Sequence, residues 1–339
     1  MTSRTAPLRI AVIGAGFAAH FHLASYRRVY GECFEIASIC GRSPRAAALA
    51  REHGITRCES DWRAVLADPT IDVVDLCVPN HLHVPMILAA AEAGKHIICE
   101  KPLGGFFGPD NAGDDWCAKG FSREAMLDAV AGQAQQVREA VERAGVTFCY
   151  GENWVHAPPI AKLDRLMAAS GSAIMRIEGE ESHSGSHAPY SRRWRSSGGG
   201  SLLRLGVHPL SAALWLKRQE GLRRDGAPIR PESVLATTMR LTDMAAFRAQ
   251  LPGHMVSDWA DVEDFASVTI SFEDGSVAQL SSTDTRLGGI RNYLTAHGSH
   301  AQVTANINPN TICQAYTPDG AYFANEYLVE KTETKEGWS

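Results

Sequence analysis

A glycine-rich turn near the amino terminus has the residue types and spacing of a phosphate-binding loop. The sequence Gly14-Ala15-Gly16-Phe17-Ala18-Ala19 directly follows an apolar, β-branched run. A first glycine permits a tight turn, a second lets the backbone approach a pyrophosphate, and a small third residue permits close packing of helix on strand. Since the pattern lies between a predicted strand and a predicted helix, it predicts a dinucleotide site that includes Gly14, Gly16, Phe17 and Ala19.

The end of the second predicted strand determines which dinucleotide is expected. NAD sites usually carry Asp or Glu there, whereas this sequence reads Cys40-Gly41-Arg42-Ser43. Arg42 and Ser43 could hold a 2′-phosphate, which favours NADP over NAD. The alternative is that Arg42 is only a solvated surface residue, in which case NAD is the better expectation.

A lysine follows the fourth predicted strand in the sequence Glu100-Lys101-Pro102-Leu103. Open α/β sheets bind their ligands at the carboxyl ends of the strands, so Lys101 is expected at the ligand-binding edge. Pro102 restricts the turn, and the ammonium can therefore be aimed at a reacting oxygen. Transfer of a hydride from a secondary alcohol needs such a group to take the hydroxyl proton.

These motifs together resemble a known family. Pro-Asn-x-x-His at 79–83, Gly-Lys-His at 94–96 and Glu-Lys-Pro-Leu at 100–103 resemble the Gfo/Idh/MocA oxidoreductases, which include glucose–fructose oxidoreductase and inositol dehydrogenase. The resemblance continues into the glycine-rich stretch Gly198–His208. It implies a Rossmann domain followed by an α+β domain with an open sheet that often forms the oligomer interface. It also implies oxidation or reduction of one hydroxyl of a sugar or cyclitol.

The resemblance assigns roles to residues of this chain. It makes Lys101 a group that positions the substrate and transfers a proton, and His208 the second acid/base candidate. The alternative for His208 is a satisfied core histidine. Glu100 is expected to contact the cofactor ribose or to orient the lysine. Cofactor contacts are implied for Pro79, Asn80, His83, Glu100, Lys101 and Asn153.

The sequence departs from the family beside this histidine. The family commonly has Asp four residues before it and another three residues after it, and here these positions are Arg204 and Ser211. We therefore expect no carboxylate to orient His208, and we expect the Arg204 guanidinium to disfavour its protonation. Arg204 could bind a carboxylate, phosphate or sulfonate of the substrate. An acidic substrate, relocated acid/base chemistry and divergent chemistry all stay open.

The helix that carries His208 is predicted to begin at Gly198-Gly199-Gly200. Its first N–H groups would be free to approach cofactor or substrate. Arg204 and His208 are four residues apart and would share one helix face. We predict that Lys101 and His208 face one another across the nicotinamide, with Arg204 at the polar end of the substrate.

A polar loop before this helix is a candidate substrate-binding segment. Tyr190 and Trp194 could stack on the C–H face of a sugar, and Arg193 could fix hydroxyls or an acid group. The alternative is an ordinary surface loop. His183 and His187 lie four residues apart, but the serines and glycine between them disfavour a helix, so no metal site is predicted.

The elements that position these residues follow from the hydrophobic pattern. Strands and helices alternate over residues 1–150, which predicts a doubly wound parallel sheet, a Rossmann domain of the α/β class. The strands are predicted at Arg9–Ile13, Phe34–Ile39, Val73–Val78, His96–Cys99 and Thr147–Tyr150. The helices are predicted at Ala18–Tyr30, Pro44–His53, Val84–Ala93 and Arg123–Ala144.

Residues 151–339 read as a substrate-binding and oligomerisation domain of the α+β class. After a helix from Pro158 to Ala169, six predicted strands indicate an open, mainly antiparallel sheet with a hairpin turn at Glu273-Asp274-Gly275. Two stretches read as insertions, Gly105–Gly120 and Gly221–Pro231. The polar run 330–339 has no apolar helical face, so the closing C-terminal helix of the family is expected to be absent. Such an absence would leave apolar surface that either forms a subunit contact or makes the protein less stable.

Composition excludes several classes of protein. The 339 residues are 45% hydrophobic and 21% charged, which is typical of a globular protein. A net charge of −5 gives no electrostatic footprint for nucleic acid or an anionic membrane. The apolar run near the amino terminus is too short to span a bilayer and has no cleavage site. The eight cysteines include no C-x-x-C. A cytoplasmic protein with reduced cysteines is expected.

The function predicted from the sequence is an NAD(P)-dependent oxidoreductase. It would transfer a hydride between nicotinamide and a secondary hydroxyl of a sugar, sugar acid or cyclitol, and would form a homo-oligomer. Two alternatives use the same fold: a redox-cycling glycosidase or lyase with a retained cofactor, and a cofactor-binding protein without turnover. The sequence does not identify the sugar, the hydroxyl or the direction of the reaction.

Overall fold

The computed structural model describes residues 6–109, 111–113, 115–186, 188–250, 255–307 and 313–316, the last range by its backbone. The chain divides into two compact units. The first contains the residues up to 151 together with 195–198, and the second contains 152–194 and the residues from 199 onwards. His187 and the polar run 330–339 lie outside the described residues.

The first unit is a six-stranded, wholly parallel sheet in the order β3-β2-β1-β4-β5-β6. Its strands are β1 (Leu8–Ile13), β2 (Phe34–Cys40), β3 (Cys58–Glu59), β4 (Val73–Leu76), β5 (His96–Glu100) and β6 (Phe148–Gly151). Its helices are α1 (Phe17–Tyr26), α2 (Pro44–His53), α3 (Trp62–Ala67), α4 (His83–Glu92) and α5 (Arg123–Ala144). The predicted Rossmann topology is confirmed.

The strand order changes direction beside β1. This strand pairs with β2 on one side and β4 on the other, so a crevice is expected outside their carboxyl ends. Val12, Val74 and Leu76 have no exposed surface, which explains the continuous apolar runs read in the sequence.

Three local features of this unit differ from prediction. Strand β3 and helix α3 were not predicted, because a two-residue strand leaves almost no periodic signal. Helix α1 ends at Tyr26 rather than at Tyr30, and residues 27–30 are exposed, with no core surface to hold a further turn.

The second unit contains a seven-stranded sheet in the order β13-β12-β11-β7-β10-β9-β8. Its strands are β7 (Ile174–Ser182), β8 (Pro231–Met239), β9 (Phe265–Phe272), β10 (Val277–Thr283), β11 (Arg291–Gly298), β12 (Gln302–Asn306) and β13 (Cys313–Tyr316). All neighbouring strands are antiparallel except β7 and β10, and β9 and β10 form the predicted hairpin. The predicted α+β class with a mainly antiparallel sheet is confirmed.

Two helices of the second unit pack against this sheet. The helices after β6 are α6 (Pro158–Ala169), α7 (Trp194–Ser197), α8 (Val207–Asp225) and α9 (Ala245–Arg248). The core forms where α6 and α8 contact the sheet, with Leu163 and Leu216 fully buried beside Ile177. Helix α8 continues to Asp225, so the first part of the predicted insertion at Gly221–Pro231 is helical. Among the described residues, no helix is both long and apolar enough to cross a membrane.

Candidate active site

The glycine-rich turn has the geometry that a pyrophosphate requires. Gly14 has a φ of +123°, and a Cβ there would lie 2.0 Å from the carbonyl oxygen of Cys77, so the turn needs glycine. At Gly16, which precedes α1, a Cβ would meet nothing within 4 Å, and no side chain caps the helix. The first amides of α1 thus face an open space in which an anion could be bound. Ala19 is fully buried against the sheet, and Phe17 is 84% exposed beside the opening. The turn fits a dinucleotide.

The corner after β2 presents cationic side chains. Arg42, Ser43 and Arg45 are exposed, and Ser43 makes no capping bond to α2. Glu59, which is in register with Cys40 on the neighbouring strand, is held by Arg57 in an ion pair. This arrangement leaves Arg42 and Ser43 at the surface where a ribose phosphate would have to bind.

Lys101 begins the turn after β5 and is partly exposed. Its backbone N–H donates to Glu100 Oε2 at 3.0 Å, so the preceding carboxylate folds back onto the lysine backbone. The other oxygen of Glu100 lies 3.0 Å from His22 Nε2, a partner that sequence reasoning missed. Although burial opposes ionisation of Glu100, hydrogen bonds and charges from His22 and Lys101 lower its pKa. The Glu100 carboxylate is therefore held between His22 and the backbone of Lys101, and its predicted role in orienting the lysine or contacting the cofactor ribose stays a prediction.

Two residues expected to contact the cofactor are buried and hydrogen-bonded to backbone carbonyl oxygens. His83 has no exposed surface, and its ring lies 2.6 Å from the carbonyl oxygen of Pro102 and 3.0 Å from that of Val78. Asn80 is 5% exposed and donates to the carbonyl oxygen of Ser197 at 2.8 Å. The predicted cofactor contacts of Asn80 and His83 stay predictions, and both side chains are buried in this structure. Pro79 is partly exposed and keeps its predicted role as an expectation.

In the second unit, His208 is buried beside a carboxylate. Its Nδ1 lies 2.5 Å from Glu152 Oε1, and both side chains are at least nine-tenths buried. The ring stacks on Trp154 with centroids 5.9 Å apart. The expectation that no carboxylate orients His208 is wrong, because Glu152 approaches from the segment after β6. With Nδ1–H donated to Glu152, Nε2 is the ring atom left for acid/base chemistry.

Arg204 is held in a buried ion pair. Its two terminal nitrogens donate to the two carboxylate oxygens of Asp284, one of them at 3.2 Å. Its guanidinium also lies 4.7 Å from the ring centroid of Trp259. Asp284 thus pairs with both terminal nitrogens of Arg204, and the prediction that Arg204 binds the polar end of the substrate stays a prediction.

The start of this helix differs from prediction in two ways. A π-helical turn at Leu202–Gly206 precedes α8, so the four-residue α-helical spacing assumed for Arg204 and His208 does not apply. The first N–H groups are also occupied. Those of Gly200 and Leu202 donate to the carboxylate of Glu263 at 2.8 and 3.0 Å. The N–H of Ser201 donates to the backbone carbonyl oxygen of Glu263 at 2.9 Å. They are not free for a ligand.

The segment predicted to bind substrate is only partly exposed. Tyr190 is 42% exposed and Arg193 is exposed. Trp194 packs against a small cluster of Val256, Trp259 and Val262, and its backbone N–H donates to Asp261 at 2.7 Å. Asn153, the expected nicotinamide neighbour, is exposed. Lys101 belongs to the first unit and His208 to the second, and their approach across a nicotinamide stays a prediction.

Comparison with known proteins extends over both units. The family described as "Oxidoreductase family, NAD-binding Rossmann fold" matches residues 8–105, and the GFO/IDH/MocA C-terminal domain matches residues 172–304. Levoglucosan dehydrogenase of Pseudarthrobacter phenanthrenivorans is 27% identical over 88% of this chain and 73% of its own length. D-glucoside 3-dehydrogenase of Escherichia coli is 32% identical over 64% of this chain and 55% of its own.

Solved structures show the same fold. A levoglucosan dehydrogenase complex with NADH and L-sorbose has a TM-score of 0.72 at 23% identity, covering 93% of this chain and 77% of the other. Aldose-aldose oxidoreductase from Caulobacter crescentus has a TM-score of 0.70 at 19% identity, covering 92% and 81%. Because the two family descriptions together span both units, the chain belongs to the Gfo/Idh/MocA oxidoreductase family.

Proposed function

We propose that this chain is an NAD(P)-dependent dehydrogenase that acts on a secondary hydroxyl of a sugar or cyclitol. The observation that carries the proposal is the placement of Lys101, which the anionic Glu100 orients at the carboxyl end of β5. The open phosphate-binding turn at Gly16 lies at the same edge of the same sheet. The names of the relatives, sugar dehydrogenases, support this class of substrate.

The side chains of this protein would manage the proton and the orientation of the substrate. When bound, the nicotinamide dinucleotide supplies the hydride acceptor or donor. Gly14 and Gly16 would admit its pyrophosphate to the first amides of α1. Lys101, as the neutral amine, would accept the hydroxyl proton during oxidation and, as the ammonium, would return it during reduction. His208, held by Glu152, is the second acid/base group, with Nε2 as the working atom.

NADP is the proposed cofactor. Arg42 and Ser43 are exposed after β2, and a carboxylate on the neighbouring strand, Glu59, is paired with Arg57. A guanidinium with access to solvent suits a 2′-phosphate. The alternative, NAD, becomes the better assignment if substitution of Arg42 weakens the binding of both cofactors equally.

The buried pair of Arg204 with Asp284 changes the proposed substrate. Because Asp284 already pairs with Arg204, this arginine gives no reason to expect an anionic ligand. We therefore favour neutral sugars and cyclitols over sugar acids. Arg193 and Tyr190 are exposed residues of the second unit that we assign to binding the hydroxyls of the substrate.

We also propose a cytoplasmic homo-oligomer that assembles through the sheet of the second unit.

A screen of neutral sugars, cyclitols and sugar acids with NAD and NADP tests the proposal. Nicotinamide absorbance should rise in proportion to substrate consumed for at least one neutral compound. Stable glycosides should be included, with the purified protein assayed for bound cofactor. Cleavage of a glycoside without net reduced cofactor would instead identify a redox-cycling glycosidase or lyase. Tight cofactor binding without change in any compound would identify a binding protein.

A further inference from the structure

Helix α1 is connected to the ends of two strands by a single buried histidine. His22 Nδ1 lies 2.9 Å from Asp75 Oδ2 on β4, and His22 Nε2 lies 3.0 Å from Glu100 Oε1 on β5. The His22 side chain is 16% exposed and that of Asp75 is fully buried. One imidazole thus bridges two carboxylates on adjacent strands.

This geometry requires a charged ring. Each ring nitrogen faces a carboxylate oxygen, and each can bond to it only as an N–H donor, so both nitrogens carry protons. Burial opposes this charge, but the hydrogen bonds to Asp75, Cys77 and Glu100 outweigh it and raise the pKa of His22 to about 12. The network therefore contains a histidinium between two anions.

The remaining neighbours complete the network without adding another cation at His22. Tyr26 Oη donates to Asp75 Oδ2 at 2.9 Å. Cys77 Sγ lies 3.5 Å from His22 Nδ1, and burial with the nearby Asp75 charge raises the pKa of the Cys77 thiol to about 12. Tyr26 and Cys77 are therefore neutral. His22 lies between the two carboxylates, and the charge of Lys101 also acts on Glu100.

Glu100 connects His22 to the backbone of Lys101 through its two carboxylate oxygens. Its Oε1 is held by His22, while its Oε2 accepts the backbone N–H of Lys101 at 3.0 Å. Because the Glu100 carboxylate is held at both oxygens, it links the His22 imidazole to the backbone N–H at which the turn after β5 begins. His22 is also on the helix that begins at the phosphate-binding turn.

We propose that His22 is a positioning residue for Lys101: it fixes Glu100, and Glu100 fixes the lysine turn. The role rests on the proposed dehydrogenase function. His22 touches neither the reacting hydroxyl nor the hydride, and acts only through these two residues.

A double-mutant cycle tests this role on the full-length protein. His22→Gln should lower kcat roughly tenfold to a hundredfold, because small displacements of a positioned group carry losses of this size. KM for the sugar and Kd for the cofactor should change much less. His20→Gln, the same change on the same helix at an exposed position, should leave all three values unaltered. In a Lys101→Ala background, His22→Gln should cause little further loss, since its effect passes through Lys101.

A second readout needs no turnover. The rate at which Lys101 is acylated by a small amine-specific reagent, measured by peptide mass spectrometry, should change severalfold in His22→Gln. The exposed Lys119 provides the internal standard, and His20→Gln should leave the ratio unchanged. If the protein oxidises no sugar with either cofactor, the proposed function fails, and this ratio still decides whether His22 positions Lys101.

Three results would overturn the proposal. The first is an unchanged labelling ratio in a folded His22→Gln protein. The second is a loss of kcat that is as large in the Lys101→Ala background as in the wild type. The third is one equivalent of zinc in the purified protein that His22→Gln releases, because His22, Asp75 and Cys77 would then be metal ligands.

Discussion

Glu152 and His208 are 56 residues apart in the sequence and form a buried hydrogen-bonded pair with a separation of 2.5 Å. The Trp154 ring stacks on the His208 ring, and the angle between the two ring planes is 13°. Glu152 also accepts the backbone N–H of Trp154 at 3.2 Å, so the carboxylate orders its own segment as well as the histidine. The pair orients the His208 imidazole, for which the sequence had indicated no carboxylate partner.

Removing the charge of Glu152 should impair the proposed reaction. Glu152→Gln keeps the shape but not the anion that stabilises a protonated ring, so we expect kcat to fall about tenfold or more with a small change in KM. Steady-state kinetics with the best substrate from the screen measures both kcat and KM. Glu142→Gln on the exposed face of α5 is the matched control. Wild-type kcat in Glu152→Gln would show that His208 needs no carboxylate.

Breaking the Arg204 ion pair should cost stability. Arg204→Leu leaves the fully buried Asp284 carboxylate without its cation, and losses of about 3–5 kcal/mol are typical of such a change. The free energy of unfolding in urea measures it, and the double variant Arg204→Leu/Asp284→Leu should recover much of the loss. A stable Arg204→Leu protein whose KM rises only for anionic substrates would instead restore Arg204 as a substrate-binding residue.

Arg42 should discriminate between the two cofactors. If it holds a 2′-phosphate, Arg42→Ala weakens NADP(H) binding by about 1.5–3 kcal/mol, the value of a charge-assisted phosphate contact. Dissociation constants for NADPH and NADH, measured by fluorescence, report the difference. If Arg42→Ala weakens the binding of NADPH and NADH equally, Arg42 only supports the loop. NAD would then be the better assignment for the cofactor.

The histidinium of His22 should make stability depend on pH. Its pKa is about 12 in the folded protein against 6.5 as the ordinary value, so folding favours the protonated ring. The stabilisation is complete below pH 6.5 and decreases as the pH rises towards 12. The difference in unfolding free energy between wild type and His22→Gln should fall by up to about 1.4 kcal/mol per pH unit across this range. A difference that does not change between neutral and mildly alkaline pH would contradict a charged ring.

The sequence predicted the first unit better than the contacts of the candidate site. Strands such as β4 are buried on both faces, and a continuous apolar run reports this directly. The glycine-rich turn and the position of Lys101 after β5 could be predicted because both depend on local order along the chain. The burial of His83 was not predicted, because its motif gives no sign that the side chain points into the core.

The partners of the site residues could not be predicted because they come from distant segments. Asp284 is 80 residues from Arg204, and neither residue type alone indicates which charges will meet. The π-helical turn at Leu202–Gly206 changes the spacing on which the face-sharing prediction depended. His22 has no sequence signal beyond being a polar residue within an apolar helix.

The rate of nicotinamide reduction by Lys101→Ala tests the proposed proton transfer by Lys101. With the best neutral sugar or cyclitol, we predict a kcat at least roughly a hundredfold below wild type, as expected when a positioned proton-transfer group is removed. Cofactor affinity should be retained, because the phosphate-binding turn is untouched. Lys119→Ala, at an exposed position, should react at the wild-type rate. Unchanged turnover in Lys101→Ala would contradict the dehydrogenase mechanism.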